Sequence, residues 1–209
     1  MLHNSLEDYS NSFCFEESSL LKSIREATDK ELNYADMLSG KMVAGLLRLL
    51  IQTGGFKEIL EVGMFTGYAT LSMAEVLPQD GKITSLEMNK RYYDIAIRHF
   101  NAFSDNQKIE VIFGNARESC LKLKDSYDLI FLDADKQFYP EYFKILKPKL
   151  NIGGIMVIDN VFWGGKVLEL SDRKSKAIHE LCELIKGDSE MDQLMLTIRD
   201  GVLIARKTS

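Results

Sequence analysis

The sequence predicts an α/β fold built on a doubly wound, mostly parallel sheet, and three observations predict it. Five short stretches rich in branched apolar residues recur after residue 57: EILEV (58–62), KITSLE (82–87), KIEVIF (108–113), YDLIFLD (127–133) and GIMVID (154–159). Strands buried on both faces carry such continuous apolar runs. Helix-like stretches at 68–77, 90–103, 116–123 and 138–146 separate them, and strands joined by crossover helices lie parallel. Finally, MLTIRDGVLIARK (195–207) places Asp200-Gly201 between two apolar runs, a hairpin signal that predicts an antiparallel edge closing the sheet.

In chain order, LLKSIREATDKEL and GKMVAGLLRLLIQ have helical spacing and precede the first strand, so residues 1–55 form an N-terminal helical cap packed against or over the sheet. Residues 56–209 form the core, and the chain of 209 residues, 45% hydrophobic, makes a single domain. KVLELSDRKSK (166–176) is polar and reads as a mobile loop leading into a helix at 176–186. No repeat or low-complexity tract interrupts this plan.

Composition narrows the partners. A formal net charge of -5 gives no basic field, so DNA binding is not expected. Cys14, Cys120 and Cys182 are odd in number and far apart, which fits neither a disulfide framework nor a zinc set. MLHNSLEDYS lacks the basic-then-apolar order of a secretion signal, and no apolar run approaches the roughly 20 residues of a bilayer span. A cytoplasmic protein without membrane contact is expected.

Open parallel sheets bind ligands beyond the carboxyl ends of their strands, so the residues finishing each strand matter most. The first strand runs into E-V-G-M-F-T-G, with Glu61, Gly63 and Gly67, where glycine permits a sharp turn and close approach of a ligand to the backbone. The spacing is not the G-x-G-x-x-G of dinucleotide enzymes, and the loop alone is equally a plain strand-to-helix turn. Glu87 ends the second strand 20 residues after Gly67, about the distance at which an acid meets a ribose. Asp133 ends the fourth strand, and Asp159 with Asn160 ends the fifth. Parallel pairing brings these together as an all-oxygen set suited to a hard divalent cation, magnesium first, with calcium or manganese as substitutes. Alone, Asp133 reads more readily as a helix cap.

The set LEVGMFTGYATLSMAEVLPQDGKITSLE, GNARE, DLIFLDADK, GGIMVIDNVFWGG and IRDGVLIARK resembles the cation-dependent O-methyltransferases that use S-adenosylmethionine, the catechol and caffeoyl-CoA O-methyltransferase family, from about Met37 to Lys207. The resemblance implies the class I methyltransferase fold, Rossmann-like, with a seven-stranded sheet whose last strand is antiparallel. It implies that Glu61, Gly63, Gly67 and Tyr68 approach the methionine part of the cofactor and that Glu87 accepts from the ribose hydroxyls. Asn115 and Ala116 then lie beside the adenine, Met37 closes over the pocket, and Asp133 touches both cofactor and metal. Ala69 stands where many members have a serine contacting the cofactor carboxylate, and Asn115 replaces a frequent aspartate or serine.

The same resemblance makes Asp133, Asp159 and Asn160 the metal ligands and Lys136 the catalytic base. A neutral amine can take a proton from a substrate hydroxyl, and an ammonium is disfavoured beside a divalent metal. Otherwise Lys136 is a surface lysine paired with Asp135 or Glu141, and Asp135 is structural. Chelation by two adjacent oxygens suits a small aromatic vicinal diol. Of Phe138, Tyr139, Phe162 and Trp163, which could wall an aromatic slot, Trp163 is favoured as the substrate contact. His3, His99 and His179 are isolated from the motifs. Methylation of a hydroxylated uridine in transfer RNA is the alternative, and a nucleotide-binding oxidoreductase or a non-catalytic module is less well matched. The family often forms a homodimer.

Overall fold

A computed structural model describes residues 5–32, 37–123 and 126–209; His3 lies outside them. Seven strands form one sheet in the order β3-β2-β1-β4-β5-β7-β6. They are β1 (Glu58–Val62), β2 (Lys82–Glu87), β3 (Ile109–Phe113), β4 (Tyr127–Leu132), β5 (Leu150–Asp159), β6 (Met191–Leu196) and β7 (Val202–Lys207). The first five pair in parallel, with β1 at the centre between β2 and β4. The hairpin signal is realised, and the hairpin closes the sheet. β7 pairs antiparallel with β5 and lies inside the sheet, while β6 pairs with β7 and forms the outer edge.

Helices α1 (Leu6–Ser12), α2 (Ser19–Leu32) and α3 (Gly40–Gly54) precede β1, and α4 (Tyr68–Ala74), α5 (Lys90–Phe100), α6 (Ala116–Lys122) and α7 (Tyr139–Leu146) are the crossovers; α8 (Arg173–Lys186) precedes the hairpin. Side chains alternate between the two faces of each strand. Leu60, Val62, Ile130, Leu132, Met156 and Ile158 therefore pack with α7 and α8 on one face. Ile59, Leu129, Phe131 and Val157 pack with α3 and α4 on the other. Fully burying each such side chain contributes roughly 1.5–3 kcal/mol. α2 packs over α4 and α5 through Leu21 and Ile24, which carries the N-terminal segment to the edge where β1, β2 and β4 end.

α4 and α5 each end three residues earlier than expected, at Ala74 and Phe100, and three further differences have local reasons. β5 begins at Leu150 rather than 154, because Gly153-Gly154 reads as a loop but forms an irregularity within the strand, where the pairing with β4 shifts register. α8 begins three residues early, at Arg173, because Asp172 and Ser175 form a reciprocal capping box. The segment expected as a mobile loop contains a 3-10 turn, Lys166–Leu168, and the first turn of α8.

Candidate functional site

The strand order reverses direction at β1 and β4, and the carboxyl ends of the parallel strands open there into a cavity of about 800 Å³, within the range of small-molecule sites. Met37, Gly63, Glu87, Asn115, Ala116, Asp133, Lys136, Asp159, Asn160 and Trp163 all line it. The topology thus brings together residues spread over more than half of the chain.

Each is held by a local device. Gly63 has φ +101°, and a Cβ there would run into the carbonyl of Asp133, so glycine lets the ends of β1 and β4 meet. The Glu87 carboxylate is fixed by three backbone donors, Phe65 N (2.8 Å), Met88 N (2.8 Å) and Asn89 N (2.6 Å). Burial still pushes its pKa above the usual carboxylate value. Asn115 caps α6, its Oδ1 accepting from Arg117 N at 3.0 Å. That oxygen is spent on the helix.

Three sequence-predicted positions lie off the main cavity. Gly67 is absent from the lining of the main cavity; its φ of +89° starts α4, and a Cβ there would strike Phe100 and Ala96 of α5. Tyr68 is buried, donating its hydroxyl to Glu17 Oε1 at 2.9 Å. Glu61 is fully buried, with Oε2 accepting from Thr70 (2.5 Å) and Ser85 (2.6 Å). Its Oε1 has no hydrogen-bond partner among the described residues. Burial pushes Glu61 up to about 8, against the pull of the two hydroxyls. Glu61, Tyr68 and Ala69 border a small recess that shares Met37, Gly63 and Asp133 with the main cavity. A buried acceptor without a donor at such a recess fits a cationic donor from a ligand.

Asp133 and Asp159 form the acidic centre. Asp159 is 2% exposed, and burial, then the Asp133 charge, push it up to about 7. Its Oδ1 accepts from Asn160 N at 2.8 Å, and Asn160 takes a left-handed φ of 57°, which asparagine tolerates. Lys136 Nζ sits 2.5 Å from Asp133 Oδ1, so its partner is Asp133 rather than Asp135 or Glu141. Asp135 is structural, as expected: it caps the turn Lys136–Phe138 by accepting from Gln137 N and Nε2. The remaining carboxylate oxygens, Oδ2 of Asp133 and Oδ2 of Asp159, receive no hydrogen bond from a described residue. Two crowded carboxylates beside an amide fit a hard cation, which would relieve their mutual repulsion. Among the described residues no three His, Cys, Asp or Glu side chains come together; the set here has two carboxylates, with Asn160 as its third member.

Of the four aromatic residues that could wall a slot, two reach the cavity, the favoured Trp163 among them. Phe138 and Trp163 line the cavity, but Tyr139 and Phe162 do not. Tyr139 is fully buried and donates its hydroxyl to the Asp159 carbonyl at 3.1 Å, within 3.5 Å of that of Leu132, tying the ends of β4 and β5. Phe162 packs against Gly201 of the hairpin loop. Phe65, Tyr92 and Tyr142 line the cavity without having been singled out in the sequence. Phe65 meets Tyr92 edge-on at 4.6 Å, a pairing between a loop and α5 that spacing does not reveal. His99 bonds to Ile95 within α5, and neither it nor His179 lines the cavity.

Residues 10–208 match a family model described as O-methyltransferase. The chain is 32% identical over 201 residues to a caffeoyl-CoA O-methyltransferase of Populus kitakamiensis, covering 90% of this chain and 86% of that one. It is 31% identical over 208 residues to tricin synthase 1 of Oryza sativa subsp. japonica, covering 91% and 82%. Among solved structures it resembles the O-methyltransferase TomG of Streptomyces achromogenes in complex with SAM, with TM-score 0.90, 25% identity and coverage of 99% and 97%. An O-methyltransferase of Bacillus cereus in complex with SAH superposes with TM-score 0.89, 26% identity and coverage of 97% of each chain.

Proposed function

Since the chain belongs to the family of S-adenosylmethionine-dependent O-methyltransferases, we propose that it methylates one hydroxyl of a catechol-like aromatic vicinal diol with the help of a divalent cation, magnesium first. The observation that carries this reading is the pair of the buried Asp159 and the partly buried Asp133, with Lys136 on the latter, in the wall of a cavity that Glu87 also lines.

When bound, the cofactor supplies an activated methyl group and the cation acidifies a neighbouring hydroxyl. Glu87, already oriented by three backbone donors, accepts from the ribose hydroxyls with its remaining lone pairs. The cofactor's ammonium would favour the ionised form of Glu61, whose Oε1 would then accept from it. Gly63 lets the backbone approach the methionine part, while Met37 closes over it and Asn115 and Ala116 lie along the adenine. Asp133, Asp159 and Asn160 hold the cation, calcium or manganese serving in place of magnesium. Lys136 Nζ takes the proton from the attacking hydroxyl, and Trp163 with Phe138 walls the ring and excludes water.

Relatives named for caffeoyl-CoA favour a phenolic substrate. Transfer RNA is less well supported: the cavity lining sets Glu87, Asp133, Asp135, Asp159 and Asp200 against Arg117, Lys136, Lys174 and Arg199, so no basic field surrounds the site. Among the described residues no helix is long and apolar enough to cross a membrane. A cytoplasmic homodimer completes the proposal, with the exposed Leu6, Tyr9 and Phe13 of the α1 region as apolar surface for a second copy.

The test is methyl transfer to caffeate with magnesium, then with excess chelator. Transfer that chelation abolishes supports the reading; transfer that survives chelation, or survives Asp159→Ala, refutes the cation's part in it.

A further inference from the structure

Among the described residues, one cation in the cavity wall has no carboxylate or carbonyl partner. Lys136 pairs with Asp133, Arg117 reaches Glu141 while lying over Phe138, and Arg199 donates to the Leu38 carbonyl. Lys174 lines the same cavity and makes no hydrogen bond or ion pair with a described residue. Its Nζ stands 4.9 Å from the centroid of the Trp163 ring, so ammonium and aromatic face form one surface.

The fold itself gives little reason for this lysine. It lies in the first turn of α8, where the helix dipole disfavours a cation. The adjacent carboxylate is committed elsewhere: Asp172 accepts from Ser175 N (2.7 Å), Trp163 Nε1 (3.2 Å) and Lys166 Nζ (3.2 Å). Those bonds lock the indole and start the helix. Gly164 and Gly165, just after the ring, have open space where a Cβ would stand. A partly buried lysine whose ammonium lies over a fixed aromatic wall is best satisfied by an anion that arrives with the ligand.

We propose that Lys174 binds an anionic substituent of the substrate, so that the diol methylated here is an aromatic acid bearing a carboxylate. The inference rests on the diol-methylation reading above and names the substrate class of that site. Trp163 would carry the ring and Lys174 the carboxylate, with the two hydroxyls at Asp133 and Asp159.

The test uses two ligands that differ only in the carboxylate, 3,4-dihydroxybenzoate and catechol, titrated calorimetrically into protein holding S-adenosylhomocysteine and magnesium. Trp163 is the sole tryptophan of the chain, so quenching of its fluorescence reports binding at this wall. The acid is expected to bind about tenfold tighter, the range of a charge-assisted hydrogen bond. Lys174→Ala should remove that preference and Lys174→Glu should invert it, both with the wild-type melting temperature. Equal affinity for the two ligands in the wild type, or an unchanged preference in both variants, overturns the proposal. Methyl transfer to catechol, measured alongside, separates the two levels. Transfer without a carboxylate preference overturns the anion site alone, whereas neither transfer nor binding of either diol overturns the diol reading as well.

Discussion

Glu61→Gln should flatten the pH dependence of stability between about pH 5 and pH 8. Glu61 is fully buried one residue from the end of β1, and burial raises its pKa from 4.5 to about 8 despite hydroxyl donors from Thr70 and Ser85. The folded chain therefore holds a proton that the unfolded chain releases near pH 4.5. For an acid raised on folding, the stabilising contribution is complete below the unfolded pKa and is lost as pH rises through the folded value. At 1.36 kcal/mol per pKa unit the loss across the window is roughly 5 kcal/mol. Asp159, raised to about 7, and Glu87 contribute slopes of the same sign. The informative quantity is thus the difference between wild type and variant. Gln keeps the shape and an acceptor for the two hydroxyls but binds no proton, so its stability should fall less steeply. Urea unfolding of the cofactor-free protein at half-unit pH steps measures this. Parallel profiles for the two proteins would refute a neutral buried Glu61. The same variant should bind S-adenosylmethionine more weakly at pH 8, where the wild type offers the ammonium a carboxylate.

Lys136→Ala should lower kcat by about 10²–10⁴-fold, the range for a general base. Calorimetry should show cofactor affinity unchanged, and an unaltered pH–rate profile would remove the base role. Glu87→Ala should weaken S-adenosylmethionine binding by about tenfold or more, since hydrogen bonds to a charged group contribute roughly 1.5–3 kcal/mol; magnesium binding, read in the same titration, should persist. Tyr139→Phe removes the hydroxyl that ties the ends of β4 and β5. It should cost about 1 kcal/mol and lower the melting temperature by about 2–4 °C. Scanning calorimetry measures that shift, and an unchanged melting temperature would show the tie to be dispensable.

The alternation of apolar runs with helical spacing determined the strands and crossovers, because a strand covered on both faces leaves a run that is local in sequence. Glu87, Asp133, Asp159 and Asn160 were legible for the same reason: each finishes a strand or directly follows one, and the parallel strands end on one side of the sheet. Tertiary structure decided what no local pattern carries. It put β7 inside the sheet and β6 at its edge, since the hairpin signal fixes a turn but not which strand meets β5. It withdrew Tyr139 and Phe162 into the core and brought forward Phe65, Tyr92 and Tyr142, because an aromatic residue looks the same in sequence whether it faces a cavity or a neighbour. It turned Gly67 toward α5 and left Glu61 Oε1 without a donor among the described residues. It also set Lys174 over Trp163, eleven positions away in a chain whose spacing there gives no periodic signal. Strand ends follow from covalent order and pairing, whereas the surroundings of a side chain depend on contacts between segments distant in sequence.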